Sequence, residues 1–387
     1  MKKAGGCVMD AVYVAQNVFS GQPFILSFSG ETFDLSPTTE RAGELYVSPG
    51  WIDLQVNGFD GYDVNAPLLS LDSVRHINQR LWQEGVSAWC PTLVTAPFEQ
   101  TQNSLSVLAR AYEEDPWVAA CLAGIHLEGP YISPLDGARG AHPLGPIRPP
   151  DWAEFTRWQE AAGGRIRIVT LAPELPGAIE FIAQLVQHGV IAALGHTHAK
   201  SACIQAAVEA GAVLSTHLGN GIEASLPRHP NPIWDQLAEE RLVASFIFDG
   251  FHLPANVMKV FCKVKGPQGC LLVSDASNLA GLAPGVYETP VGGKVELHLN
   301  GKLSLYGTEY LAGSASSLVQ GVENAVRLAG CSLVEAVRMV TLNPAHLLSF
   351  EQTANTIFAL DHATGQVAIV ATCINGKVVY RNPDWPG

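Results

Sequence analysis

Charge is scarce in this chain of 387 residues: only 15% is Asp, Glu, Lys or Arg, and the basic residues number 23 against 36 acidic ones. The formal net charge of −13 argues against nucleic acid and anionic membranes as principal partners. Any acidic group on a ligand must therefore be met by local cations rather than by an overall field. No apolar run reaches the roughly 20 residues of a helical membrane span, so a soluble protein is expected. Cysteine pairing motifs are also missing. The eight cysteines (Cys7, Cys90, Cys121, Cys203, Cys262, Cys270, Cys331, Cys373) are scattered without a C-x-x-C pair, and several sit in apolar runs such as Val118-Ala119-Ala120-Cys121-Leu122. They read as small buried hydrophobes in a reducing compartment, and the cytoplasm is expected. Two lysines open the chain, but no sustained apolar stretch follows them, which makes a poor signal peptide. There is no internal repeat and no low-complexity tract.

What is abundant is apolar residue, 47% of the chain, enough for a barrel of ordinary size plus a smaller unit. Residues 1–48 carry short β-prone pieces (Ala11–Val14, Pro23–Phe28) broken by Gly, Ser and Pro. The end of the chain is similar, with Val367–Cys373, an Asn375-Gly376 turn and Lys377–Tyr380. Both ends predict antiparallel strands that meet in one small β-sandwich-like domain, residues 1–48 plus 350–387. Between them, strand-like and helix-like runs alternate. Candidate strands are Gly50–Val56, Ala88–Val94, Ala119–Leu127, Arg165–Leu171, Val190–Leu194, Ala212–Thr216, Val243–Phe248 and Cys270–Ser274. Helices are expected over Leu71–Glu84, Ala178–His188, Ser201–Ala210 and Ala255–Lys263, and two more follow the eighth strand: Ser316–Leu328, then one opened by the capping box Ser332-Leu333-Val334-Glu335 and stopping near Asn343-Pro344. Eight mostly continuous apolar strands with intervening helices predict an α/β fold, a (β/α)8 TIM-like barrel over residues 49–349. The Pro/Gly-rich segment 137–150 is expected to be a loop at its mouth.

Four segments place a metal-binding or acid–base residue just past an apolar run: Ile125-His126-Leu127-Glu128-Gly129-Pro130, Leu194-Gly195-His196, Ser215-Thr216-His217-Leu218 and Val273-Ser274-Asp275-Ala276. Singly, a Glu before Gly-Pro is ordinarily a turn residue, and a His in an apolar run is ordinarily hydrogen-bonded core. Jointly, residues at the ends of different parallel strands converge at one barrel mouth. Two imidazoles and a carboxylate make a three-ligand site with positions open for water and substrate, and Asp275 is placed to act as base and then acid. His126 and His198 lie beside these ligands and are expected to support them. His188, His298, His346 and His362 have surface-like or helical contexts and receive no function. Trp82, Trp89, Trp117 and Trp158 read as packing; Trp51 and Trp234 lie nearer the motif loops.

Taken together with Pro49–Gly58, Gly140-Ala141-His142-Pro143, Asp249-Gly250-Phe251-His252, Leu311-Ala312-Gly313-Ser314 and Asn343-Pro344-Ala345, these motifs make the chain resemble the N-acetylglucosamine-6-phosphate deacetylases of the amidohydrolase superfamily. The resemblance implies that Glu128, His196 and His217 hold one divalent metal and that Asp275 is the catalytic acid–base. It implies that His142 fixes or polarises the acetamido group, that Asn220 and Gly221 contact the sugar phosphate, and that Leu311, Ala312 and Gly313 line the sugar pocket. Arg228 and His252 correspond to phosphate contacts, Arg228 by way of the neighbouring subunit of a homodimer. Gln55-Val56-Asn57 stands where two-metal relatives carry His-x-His, and Leu171-Ala172-Pro173-Glu174 offers no lysine for a bridge, so one metal is expected, zinc first, with Fe2+, Mn2+ and Co2+ also compatible. Gly219-Asn220-Gly221-Ile222 and His229-Pro230-Asn231-Pro232 depart from the family pattern, which leaves the epimer and the need for a 6-phosphate open. Other readings are an unphosphorylated or galactosamine substrate, a cyclic-amide hydrolase, and a catalytically silent barrel that serves as a binding partner.

Overall fold

A computed structural model describes residues 11–289 and 293–385; Met1–Lys3 and Cys7 lie outside the described residues. Eight parallel strands form its centre: Trp51–Val56, Val86–Val94, Ile125–Glu128, Ile166–Leu171, Ile191–Leu194, Leu214–Ser215, Val243–Phe246 and Cys270–Leu272. They lie side by side in chain order, and a parallel bridge between Val56 and Ala276 joins the first to the eighth. The chain is a (β/α)8 barrel. Its strands are buried along almost their whole length, as strands covered on both faces are, polar residues such as Asp53, Gln55, His126 and Glu128 included.

The helices between strands present one apolar stripe each. Leu71–Gln83 buries Val74, Ile77, Leu81 and Trp82, and Ser70 caps it by accepting from the Ser73 N–H. Two elements differ from expectation. The run from Ala119 is not one strand: Pro116–Cys121 is a helix, and the strand begins only at Ile125. The cause is local, since Asp115 accepts from the backbone N–H groups of Trp117 and Val118 while Pro116 occupies the first turn. The capping box at Ser332 does open a helix, Leu333–Arg338, but the chain then breaks and restarts as Leu342–Leu348. Pro344 therefore sits inside a first turn, where its missing N–H has no partner to lose.

Seven strands from the two chain ends close on themselves in the order Ala11–Asn17, Pro23–Ser29, Thr32–Pro37, Lys377–Arg381, Val367–Ile374, Ala354–Leu360, Leu45–Pro49. Ala15, Leu26, Phe28, Val47, Ile357 and Cys373 fill the interior. Asn375 and Gly376 both take positive φ, 52° and 72°, as a two-residue type I′ turn requires. The ring docks on the barrel through Thr356 and Thr372, whose hydroxyls donate to the carbonyls of Gly85 (2.7 Å) and Trp82 (2.6 Å). Beyond the eighth barrel strand, Gly285–Thr289, Gly293–Leu297 and Leu303–Leu305 form an unexpected three-stranded sheet. Its signal was present as the alternation in Lys294-Val295-Glu296-Leu297 and as Asn300-Gly301. The seven cysteines among the described residues are free, and no described helix is long and apolar enough to cross a membrane.

Gly50 marks the joint between the two units, its N–H bonded to the Ala354 carbonyl at 2.9 Å. A β-carbon there would lie 2.0 Å from Ser87 Oγ and 2.8 Å from Ala354 Cβ. Gly50→Ala is expected to lower stability by about 1–3 kcal/mol through overpacking. Urea unfolding checks this; an unchanged midpoint would show that the joint yields freely.

Candidate metal and catalytic site

The strand ends build the site by turning sharply. His196, His217 and Asp275 have φ of 51°, 31° and 48°, a left-handed region that costs a side-chain-bearing residue about 1–3 kcal/mol. Each follows its strand by two or three residues, and all three line one cavity. Gly195 permits one of these turns, because a β-carbon there would press on Thr170 Cγ2 at 2.7 Å and Thr216 Cβ at 2.9 Å.

Glu128, His196 and His217 converge. Their ligating atoms all lie within 4.8 Å of one another, and all three residues are buried. One carboxylate oxygen, Glu128 Oε1, faces both imidazoles, 3.0 Å from His196 Nε2 and 2.8 Å from His217 Nε2. Burial by itself would raise the Glu128 pKa, but the two imidazoles outweigh it and hold the carboxyl well below its ordinary range. Burial likewise opposes charge on His217, and Glu128 overrides it and pushes that pKa up. Something positive must occupy the space between these atoms, and a divalent cation can replace the protons there. His196 Nδ1 donates to the Ala138 carbonyl at 2.9 Å, which leaves Nε2 as the ligating nitrogen when the ring is neutral. The donor set therefore fits a transition-metal ion.

Asp275 lies beside this cluster. Burial, then the Glu128 charge, pushes its pKa up to about 6, and Asn57 Nδ2 donates to its Oδ1 at 2.8 Å. Asn57 comes from the first strand, so this contact exists only because the barrel closes. Asp53 helps to hold the closure: it is buried, pushed up to about 7 by that burial, and accepts from the Ser274 N–H at 3.2 Å. His142 is also buried, which lowers its pKa to about 3 and keeps it neutral, with Nδ1 2.8 Å from Thr95 Oγ1.

A cavity of about 310 Å³ opens over these groups. It is lined by Glu128, His196, His217, Asp275 and His142, by Asn220, Gly221 and His252, and by Leu311, Ala312 and Gly313. Arg228 is the exception among the expected site residues: it is exposed on its loop and does not line the cavity of its own chain. His126 has no nitrogen to spare. Its Nδ1 donates to the Leu54 carbonyl (3.1 Å) and its Nε2 lies 2.7 Å from Thr170 Oγ1, with burial lowering its pKa to about 4. His198 is half-exposed and pairs with Ser133 and Glu174 at 2.9 Å each. Gly219 and Gly221, where the chain departs from the family pattern, are tightly packed. A β-carbon would meet Leu253 Cδ2 at 2.9 Å in the first case and His196 Nδ1 at 2.8 Å in the second.

The sequence reading missed two parts of the wall. The three-stranded sheet contributes Thr289, Val295 and Leu303, and the loops after the first and eighth strands contribute Asp63, Asn65, Ser277 and Asn278. Asp63 and Asn65 were detectable only as polar residues in Tyr62-Asp63-Val64-Asn65, a weak signal without neighbours.

The sequence pattern of the amidohydrolase family matches residues 46–357. The chain is 33% identical to the N-acetylglucosamine-6-phosphate deacetylase of Bacillus subtilis (strain 168), over 96% of each chain. It is 34% identical to the N-acetylgalactosamine-6-phosphate deacetylase of Escherichia coli O157:H7, over 81% of this chain and 80% of that one. Among solved structures, it resembles an N-acetyl-D-glucosamine-6-phosphate deacetylase variant from Mycobacterium smegmatis in complex with N-acetyl-D-glucosamine-6-phosphate, with a TM-score of 0.82 and 29% identity, covering 96% of this chain and 99% of that one.

Metal content measured on purified variants tests the cluster. Glu128→Gln and His217→Ala are each expected to weaken metal retention by more than about 100-fold, since loss of an outer partner alone costs about 10–100-fold. His198→Asn, outside the cluster, should retain the ion. Equal retention in all three would place the metal elsewhere.

Proposed function

The chain belongs to the amidohydrolase family, and we propose that it removes the acetyl group of an N-acetylhexosamine 6-phosphate, N-acetyl-D-glucosamine 6-phosphate first. The products are acetate and the amino sugar 6-phosphate. The observation that carries this reading is the convergence of Glu128, His196 and His217 with Asp275 in one cavity. Glu128, His196 and His217 would hold a single ion, zinc first, with Fe2+, Mn2+ or Co2+ compatible with the same donors. Gln55 and Asn57 supply only amides where a second ion would need imidazoles, and Asn57 is already committed to Asp275. When bound, a divalent ion supplies Lewis acidity toward water and the acetamide carbonyl.

This chain's own groups do the rest. Asp275 takes a proton from water as the new C–O bond forms at the acetyl carbon. It returns that proton to the nitrogen as the C–N bond breaks, so the amine leaves neutral. His142, held neutral by burial, is positioned through Thr95 to hydrogen-bond the acetamide oxygen. Leu311, Ala312 and Gly313 would pack against the sugar, with Asn220 and Gly221 contacting its phosphate side. His252, whose Nδ1 is tied to Asp249 at 2.6 Å, faces the same cavity and would meet the phosphate. Among the described residues no Lys or Arg lines the cavity, so a phosphate there would gain from a further cation. The exposed Arg228 of a second copy fits that need, which supports a homodimer.

The same chemistry on the galactosamine epimer is a second reading, favoured by the 34% identity to the Escherichia coli relative. An amino sugar pathway in the cytoplasm is the setting we assign, with residues 1–48 plus 350–387 a small β domain and 49–349 the catalytic unit.

Acetate release from a panel of N-acetylhexosamines tests the substrate. The 6-phosphorylated sugars should turn over and the free sugars should not; the reverse pattern rejects the assignment. Asp275→Asn is expected to lower kcat by at least about 100-fold, the scale of general acid–base catalysis, while metal content stays normal. Undiminished turnover would remove Asp275 from the reaction.

A further inference from the structure

The hairpin that leaves the first barrel strand carries a carboxylate with no part in the metal cluster. Gly58–Phe59 pairs with Tyr62–Asp63, and Asp63 lines the cavity alongside Asn65 and Asn278. The hairpin is tightly held. The Asp60 N–H reaches the Ala280 carbonyl at 2.8 Å, the Gly61 N–H the Asn278 carbonyl at 2.7 Å, and the Val64 N–H the Asn57 carbonyl at 2.9 Å. A β-carbon on Gly58 would sit 2.2 Å from the Tyr62 carbonyl oxygen, so the two strands are in the closest contact that glycine allows. Asn65 pins the next step, donating to the Thr92 carbonyl (3.0 Å) and accepting from the Val94 N–H (2.8 Å).

Asp63 has a structural task, and its protein partners are confined to Asn65. Its Oδ1 accepts from the Asn65 N–H at 2.7 Å, an ordinary turn contact. It makes no ion pair among the described residues, and burial pushes its pKa up, with only Asn65 pulling it down. A half-buried carboxylate without a cation is unfavourable unless other donors reach it. Ionised, it only accepts. The donor it suits is a neutral hydroxyl, because a phosphate would be repelled. The anion-binding candidate, His252, follows the seventh strand, two places round the barrel from the strand that leads to Asp63. The two walls therefore offer different partners, a carboxylate acceptor at Asp63 and an imidazole at His252, and a ligand with hydroxyls on one part and an anion on another has one favourable orientation.

We propose that Asp63 is a specificity-determining residue that accepts a hydrogen bond from a ring hydroxyl of the bound sugar. This rests on the deacetylase reading and adds to it the group that reads the hydroxyl pattern, and so the epimer. A site built to bond a hydroxyl rejects an analogue lacking it, because the buried acceptor is left unpaired. Asp63 contributes no proton to the reaction.

The test is a two-by-two comparison of kcat/KM. Wild type and Asp63→Asn are assayed on the N-acetylhexosamine 6-phosphate they hydrolyse and on analogues with each ring hydroxyl replaced in turn by hydrogen. Asparagine keeps an oxygen for the Asn65 N–H but removes the charge. For wild type, one analogue is expected to lose about 10–100-fold, the range of a hydrogen bond to a charged group. Asp63→Asn should lose a similar factor on the parent sugar and treat that analogue within about threefold of it, the non-additivity expected of interacting partners. Metal content and the melting temperature report whether the variant is folded; if it is not, Asp63→Ser, which also keeps an acceptor, repeats the comparison. Equal penalties in wild type and variant for every analogue would overturn the role of Asp63 while leaving the deacetylase reading intact. Wild type idle on every phosphorylated N-acetylhexosamine would overturn that reading, and this proposal with it.

Discussion

Closure of the eight-stranded barrel is the constraint on which the site depends. The Val56–Ala276 bridge sets the first strand beside the segment that follows the eighth, and the Asn57 and Gly58 N–H groups both reach the Ala276 carbonyl. Only through that seam does Asn57 donate to Asp275 and Asp53 accept from Ser274. All parallel strands point their C-terminal ends one way, so the seam also gathers Glu128, His196, His217 and Asp275 over a single opening. The terminal ring is tied to the barrel through Gly50, Gly85 and Trp82.

The electrostatics of the mouth follow from that gathering. Glu128, Asp275 and Asp63 bring three carboxylates to a cavity that no lysine or arginine lines among the described residues. Such a cavity is short of positive charge, and its two clustered imidazoles share one carboxylate oxygen. A divalent cation held by Glu128, His196 and His217 would answer that deficit. Higher on the wall, Asp63 and His252 give the opening two regions of different character. The left-handed turns at His196, His217 and Asp275 are the strain the fold sustains to aim these groups, and the dense packing beneath them holds the turns in place.

Much of this was legible before any coordinates. The parallel strands announce themselves because both faces are covered, so Ile125–Glu128 is buried throughout and Ile166–Leu171 nearly so. The capping box at Ser332 and the Asn375-Gly376 turn are local devices, settled by neighbouring backbone groups. Misreadings arose where apolar content masked a cap, as at Asp115-Pro116, or where a short helix restarts through Pro344. The three-stranded sheet was overlooked because its strands are short and half-exposed, with alternation spread over only a few residues.

The sequence by itself determined the chemistry available: which residues end apolar runs, that amides stand where a second metal's imidazoles would be, and that the chain is poor in cations. It could do so because residue type and strand periodicity are local properties. Only the tertiary structure decided which of those residues meet. It set both His126 nitrogens on Leu54 and Thr170, kept Arg228 out of its own cavity, packed Gly221 against the His196 ring, and brought Asp63 into the wall. Those outcomes depend on contacts between segments far apart in the chain, and no spacing along a single strand encodes them.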